Sequence, residues 1–141
     1  MTVLGFSSLG LPLFGEDARP ADEVLDALFD DGLYDLLELH LERPLPAPPG
    51  GSGPLVPEEI REGLRAIARG VARRGGRVGF GVGGRFILGP KKHEPSLACA
   101  DAEGRARRVR FLREALDVAS ELQSPFLVFL GGPIEDALSA D

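Results

Sequence analysis

Four short apolar segments alternate along this chain with three longer segments whose apolar residues recur at helical spacing. The apolar segments span residues 2–7, 36–41, 77–82 and 126–130, and the helical segments span 21–31, 58–74 and 102–122. The order β-α-β-α-β-α-β predicts an α/β fold with parallel βα repeats, because each helix can return the chain to the same end of the sheet. Right-handed crossovers then allow either an open doubly wound sheet or part of a (β/α)₈ barrel.

The helical segments each predict one buried stripe. The expected core residues share a spacing of three or four, and they are Val24, Leu25 and Leu28; Ile60, Leu64, Ile67 and Val71; and Val109, Leu112, Leu116 and Ala119. Asp101 is the predicted N-cap of the third helix. The strands are expected to be apolar on both faces, as in a covered parallel sheet. The proline- and glycine-rich segment 44–57 is predicted to be the most mobile part.

Length and composition exclude several classes of protein. The 141 residues predict one domain over 1–141, and the single cysteine excludes an internal disulfide framework and a cysteine-rich zinc site. No apolar run approaches the 18 or more residues of a membrane-spanning helix, so no membrane partner is expected. The first residues, MTVLGFSSLG, lack the basic region of a signal peptide, and a cytoplasmic protein is expected.

The charges are distributed unevenly around a net charge of −6. Residues 1–56 carry ten acids and two bases, whereas residues 61–113 carry fourteen bases and four acids. This asymmetry favours solvated helix faces, with a positive field for a phosphorylated substrate or a nucleic acid as the alternative. Few aromatic residues interleave the basic stretch, so no nucleic-acid partner is expected.

Two places carry polar side chains suited to binding. The loop after the third apolar segment has about twenty residues, a length that is usually functional. It contains Arg85, Lys92, His93 and Glu94, which could hold an anionic or polyhydroxylated ligand. Glu38 and His40 are two residues apart on the second predicted strand, so their side chains point to the same side.

The role of Glu38 and His40 stays open at this point. They could form a locally satisfied buried pair, contact a substrate hydroxyl, or ligate a metal. Nucleotide binding is not expected, because no GxGxxG follows the first strand and no GxxxxGK[ST] occurs. The segment GVGGRF is rich in glycine but lacks the spacing of a phosphate loop.

The segments RFILGPKKHEPSL, GRARRVRFLREALDVASEL and FLVFLGG resemble the sugar phosphate isomerase/epimerase superfamily. These proteins are xylose isomerase-like TIM barrels, and LGFSSLG and YDLLELHL are also similar to them. The resemblance covers nearly the whole chain, but it implies an N-terminal half only, with four strands and three helices of a (β/α)₈ barrel. An endonuclease IV-like relative is disfavoured, because such a protein would need several His ligands and this chain has two histidines.

The resemblance implies a sugar or sugar-phosphate isomerase/epimerase-like protein that is truncated. In the full-length family a divalent metal (Mn, Mg, Co or Zn) assists the reaction, and later strands supply its ligands and the acid/base carboxylates. No metal ligand or catalytic residue can therefore be placed on this chain. The residues implied to bind substrate are Phe6, Glu38, His40, Arg85, Lys92, His93 and Glu94.

The expected partners are a sugar or sugar-phosphate substrate and either a second copy of the chain or a missing C-terminal half. Four parallel strands leave two unpaired edges, and such edges seek a partner. The alternative function is therefore a non-catalytic half-barrel that self-associates as a dimer.

Overall fold

The alternating pattern of the sequence is present in the structure, a computed structural model that describes residues 5–7, 19–41, 53–84 and 87–132, with residues 6 and 7 described by their backbone alone. The elements in chain order are β1 (Gly5–Ser7), α1 (Ala21–Phe29), β2 (Leu36–His40), α2 (Glu58–Arg73), β3 (Arg77–Gly81), α3 (Ala102–Glu121) and β4 (Leu127–Val128). The predicted order is confirmed, and β4 is shorter than expected; residues 2–4 of the first predicted strand lie outside the described residues. None of the described helices has the length and apolarity needed to cross a membrane.

The four strands form one parallel sheet whose order is the chain order, β1-β2-β3-β4. Leu36 of β2 lies between Gly5 of β1 and Arg77 of β3 in register, and Gly81 of β3 lies opposite Val128 of β4. Right-handed crossovers between successive neighbours place every helix on the same face of the sheet. The doubly wound alternative is thereby excluded, because it needs helices on both faces.

The core lies between this face of the sheet and the helices. Leu37 and Leu39 of β2 and Phe80 of β3 are fully buried there. They belong to one apolar cluster with residues of all three helices, among them Val24, Leu25, Phe29, Leu64, Ile67, Val71, Phe111, Ala115 and Val118. Burying an aliphatic or aromatic side chain of this size stabilises the fold by about 1.5–3 kcal/mol. The predicted stripes of α1 and α2 are confirmed, with Leu28 and Ile60 partly buried.

The predicted stripe of α3 is wrong at two of its four positions. Ala119 is buried and Leu112 is partly buried against the core, as predicted, but Val109 and Leu116 are exposed, and α3 buries Phe111, Ala115 and Val118 as well. Both sets recur at helical spacing, so periodicity alone cannot choose between them. The observed face includes Ala115 and Ala119, whose small side chains let the helix approach the sheet closely.

The segment that the sequence marks as most mobile includes two firmly packed residues. Leu55 and Val56 are buried, and their backbone N–H groups donate to one carboxylate oxygen of Glu114 on α3, at 2.6 and 3.0 Å. The prediction of mobility is therefore wrong for this part, because buried N–H groups paired with a carboxylate are held in place. Residues 44–52 of the segment lie outside the described residues.

The helices are also joined by ion pairs across their exposed surfaces. Arg74, at the end of α2, donates through Nε to Asp26 of α1 at 2.7 Å, and this bond raises the pKa of the guanidinium. Glu121 of α3 accepts from Arg61 at 2.6 Å and from Arg65 at 2.9 Å. Acidic residues of the N-terminal third thus form ion pairs with basic residues of α2 and its end. These pairs support the interpretation that the charge asymmetry reflects solvated helix faces.

Candidate functional site

The face of the sheet that points away from the helices differs from the predicted pattern. The strands were expected to be apolar on both faces, but this face of β2 carries Glu38 and His40. The same face of β3 carries Gly79 and Gly81 in place of side chains. We call this surface the open face. It therefore combines polar groups with space for side chains from neighbouring strands.

Glu38 and His40 form a pair at the carboxyl end of β2. Oε1 of Glu38 lies 2.7 Å from Nε2 of His40, and the side chains are 25% and 11% exposed. Because residues two apart on a strand point to the same face, the strand itself holds the two groups side by side. The carboxylate retains access from the solvent, so it can accept a hydrogen bond from a ligand hydroxyl.

Gly81 provides the space that His40 occupies. The two residues lie opposite each other in register, and a Cβ built on Gly81 would come within 2.5 Å of Cε1 of the imidazole. The ring therefore lies directly over the backbone of β3. Gly79 likewise provides the space that Phe126 occupies, because a Cβ built on Gly79 would lie 2.7 Å from Cε2 of the ring. Sequence analysis missed this role, although glycine at alternate positions among Val78, Phe80 and Val82 is its signal.

The loop after β3 folds against the carboxyl end of β4. The N–H of Leu97 donates to the carbonyl of Gly131 at 3.0 Å. A Cβ on Gly132 would lie 2.6 Å from the carbonyl oxygen of His93, so only glycine permits this approach. The loop containing His93 thus lies at the same edge of the sheet as the end of β2, where ligands of parallel α/β proteins bind.

The other candidate residues of this loop lie in a different setting. Glu94 is 3.5 Å from Lys91 and, with it, lines a cleft of about 810 Å³ beside the first turns of α3. Lys92 is exposed. Neither Glu38 nor His40 lines this cleft. The structure therefore separates Glu94 from the Glu38–His40 pair.

Arg108 is a functional candidate that sequence analysis did not single out. It is 1% exposed, donates through Nη2 to the carbonyl of Leu130, and lies 5.6 Å from the ring centroid of Phe111. Its Nε and Nη1 have no hydrogen-bond partner among the described residues, and burial lowers the pKa of the guanidinium. The side chain anchors the carboxyl end of β4 to α3. No sequence signal distinguishes it from the neighbouring arginines.

Two further candidates cannot be placed in the site. Arg85 lies outside the described residues, and of Phe6 only the backbone is described, opposite Leu37 in register. Among the described residues, no three His, Cys, Asp or Glu side chains gather where they could hold a metal ion. The described side chains therefore do not offer the ligand set of the divalent metal that the resemblance implies. No chemical step is derived through that metal.

Comparisons with known proteins bear on the fold. No protein-family model and no curated protein matches the sequence. The solved structure of D-psicose 3-epimerase in the presence of D-fructose is similar over 99% of this chain, at 18% identity and a TM-score of 0.59. The similar region is 42% of that chain, so the present chain spans less than half of its length. This likeness confirms the expected fold: four parallel strands and three helices that form half of a (β/α)₈ barrel.

Proposed function

We propose that this chain binds a sugar at the carboxyl edge of its sheet, as half of an isomerase/epimerase-like barrel protein. The observation that carries the proposal is the Glu38–His40 pair, 2.7 Å apart at the end of β2 on the open face. Polar groups at the carboxyl ends of barrel strands are where (β/α)₈ enzymes bind and transform their substrates.

The pair has a simple chemistry for sugar recognition. A sugar hydroxyl donates a hydrogen bond to the Glu38 carboxylate, and such charge-assisted bonds are about twice as strong as neutral ones. His40 holds the carboxylate in place, and its ring is itself fixed over Gly81. The site is preorganised, so little side-chain entropy is lost when the hydroxyl binds.

The proposed substrate class is supported by the similar structure, whose protein is an epimerase of the ketose D-psicose. A ketose or its phosphate is therefore the proposed ligand. His93 and Lys92 of the loop, together with Arg85, are proposed to surround it, and Lys92 or Arg85 suits a phosphate. Cleavage or formation of bonds is not assigned to this chain's residues. A cytoplasmic setting without nucleic-acid partners stays a prediction.

Titration of the chain with D-fructose or D-psicose, followed by NMR of the imidazole ring signals, tests the proposal. The chain has two histidines, so His40 reports on the pair and His93 on the loop in one spectrum. We expect saturable shifts of the His40 signals. Glu38→Gln should weaken binding about tenfold or more, because a hydrogen bond to a charged group contributes about 1.5–3 kcal/mol.

Glu103→Gln is the matched control, since Glu103 is exposed on the first turn of α3. It should leave the affinity unchanged. Unchanged affinity in Glu38→Gln, or saturable binding without a change at His40, would move the sugar site away from the pair. Absence of binding of both ketoses and of their phosphates would remove the proposed function.

A second candidate is a non-catalytic half-barrel that self-associates. The observation in its favour is the group of exposed apolar side chains on the open face at the end of the sheet, Phe126, Val128 and Leu130. Monomeric proteins rarely leave such residues contiguous on their surface. Self-association without sugar binding would support this candidate, whereas sugar binding supports the first whether or not the chain self-associates.

A further inference from the structure

The open face carries an apolar surface that the described part of the chain does not cover. Phe126, Val128 and Leu130 lie on this face, over or beside glycines of β3 and the loop that follows, and they are 39%, 43% and 47% exposed. Exposed apolar residues of this size favour an interaction surface.

Among the described residues, both edges of the sheet lack a further strand. In the described sheet, β1 pairs with β2 alone and β4 pairs with β3 alone. Each edge strand therefore presents backbone N–H and C=O groups that a further strand can pair with. All strands are parallel, so an added strand that continues the pattern must also run parallel.

We propose that a second copy of this chain covers the open face and closes the sheet into a barrel. A two-fold axis parallel to the strands places β4 of each copy beside β1 of the other. The product is eight parallel strands with no edges and with helices outside. Phe126, Val128 and Leu130 of both copies then fill the interior, which in an eight-stranded barrel is just wide enough for side chains.

Two observations favour a second copy as the occupant. One symmetry operation satisfies both edges at once, because a two-fold interface uses the same surfaces on both partners. In addition, this chain matches 42% of a single-chain barrel structure, so two copies supply most of one complete barrel. The open face is thus complementary to itself in strand number, direction and apolar character.

Closure would also complete the proposed ligand site, because the second copy would contribute residues to it. The proposed function alone does not include this contribution. β2 of one copy and β2 of the other are four strands apart among eight, so they face each other across the interior. The two Glu38–His40 pairs therefore lie on opposite walls of one cavity at the same height. Interior groups on facing strands can contact one ligand from both sides.

A matched pair of substitutions tests the interface. Val128 on the open face and Val109 on α3 are similarly exposed, at 43% and 39%. Native mass spectrometry at micromolar concentration should show dimers for the wild-type chain and for Val109→Lys. Val128→Lys should shift the population to monomer by about tenfold or more in dissociation constant, since it places two lysines in an apolar interior. Circular dichroism confirms that each variant is folded.

A labelled heterodimer tests the arrangement of the strands. Mixing ¹³C,¹⁵N-labelled and unlabelled copies and selecting intermolecular NOEs should give contacts between Val128 of one copy and Gly5 of the other. A folded monomer at millimolar concentration, equal effects of the two lysine substitutions, or intermolecular NOEs confined to the helices would overturn the proposal.

The outcome is separable from that of the proposed function. A dimer with the expected NOEs that ignores ketoses and their phosphates supports the interface and removes the sugar site. A monomer that binds a ketose through Glu38 removes the interface and leaves the sugar site.

Discussion

The two faces of the sheet are built from alternate residues of the same strands, and they have opposite characters. Toward the helices, β2 and β3 present Leu37, Leu39 and Phe80, all fully buried. Away from the helices they present Glu38, His40 and glycines. Because side chains alternate along a strand, one short sequence can encode a core and a candidate site together.

The two faces of the half-barrel therefore have different roles. The helix-covered face provides folding free energy through apolar burial, and it tolerates little change in volume. The open face contributes less burial, which leaves it room for polar groups and for a partner.

The largest effect is expected on the covered face. Phe80 is fully buried and belongs to the cluster that joins the sheet to the helices. Phe80→Ala should lower the free energy of unfolding by about 3–5 kcal/mol, because it removes apolar burial and leaves a cavity. Urea unfolding followed by circular dichroism measures the loss.

Leu116→Ala is the control for that loss, since Leu116 is 56% exposed on α3. It should change the free energy of unfolding by less than about 0.5 kcal/mol. A comparable loss in both variants would mean that α3 packs through the face that the sequence periodicity suggests and not through Phe111.

An intermediate effect is expected where the open face is tightest. Gly81→Ala places a methyl group 2.5 Å from Cε1 of His40, so the imidazole must move. The strain should cost about 1–3 kcal/mol, and the ring signals of His40 should shift as its pair with Glu38 is lost. Urea unfolding and NMR of the ring report the two effects separately.

Gly83→Ala supplies the comparison on the same face. Its added methyl group would lie 3.7 Å from Cγ of Leu130, an ordinary contact. The stability and the His40 signals should remain those of the wild-type chain. Equal responses to the two substitutions would show that the imidazole does not lie over Gly81.

The smallest effect concerns the helix that covers the end of the sheet. Asp101 caps α3 by accepting hydrogen bonds from the N–H groups of Glu103 at 3.2 Å and Gly104 at 2.8 Å. Asp101→Ala should cost about 1 kcal/mol in thermal unfolding, whereas Asp101→Ser retains a capping oxygen and should cost less. Equal losses in Ala and Ser variants would argue against a capping role.

The sequence predicts the covered face better than the open one. The element order, the stripes of α1 and α2 and the cap at Asp101 follow from periodicity and local hydrogen bonding, which are encoded nearby in the chain. Which face of α3 is buried does not follow from the sequence, because two stripes are equally periodic and the choice depends on packing against distant strands. The hydrogen bond from the N–H of Leu55 to the carboxylate of Glu114 likewise joins residues that are far apart in sequence.

The candidate site is predictable only in part for the same reason. The spacing of Glu38 and His40 predicts that they share one side of a strand, and the structure places them 2.7 Å apart. The space for His40 comes from Gly81 on the neighbouring strand, and the register that aligns them is a tertiary property. Which of the implied substrate-binding residues act on a ligand stays a prediction.

Hydroxyl-radical footprinting across a range of protein concentrations tests the difference between the two faces most directly. Phe80 and Phe111, buried under the helices, should be protected at every concentration. Phe126 on the open face should be oxidised when the chain is dilute and become protected as it self-associates. Protection of Phe126 in the dilute monomer would contradict the account, because the chain itself would then cover the face described here as open.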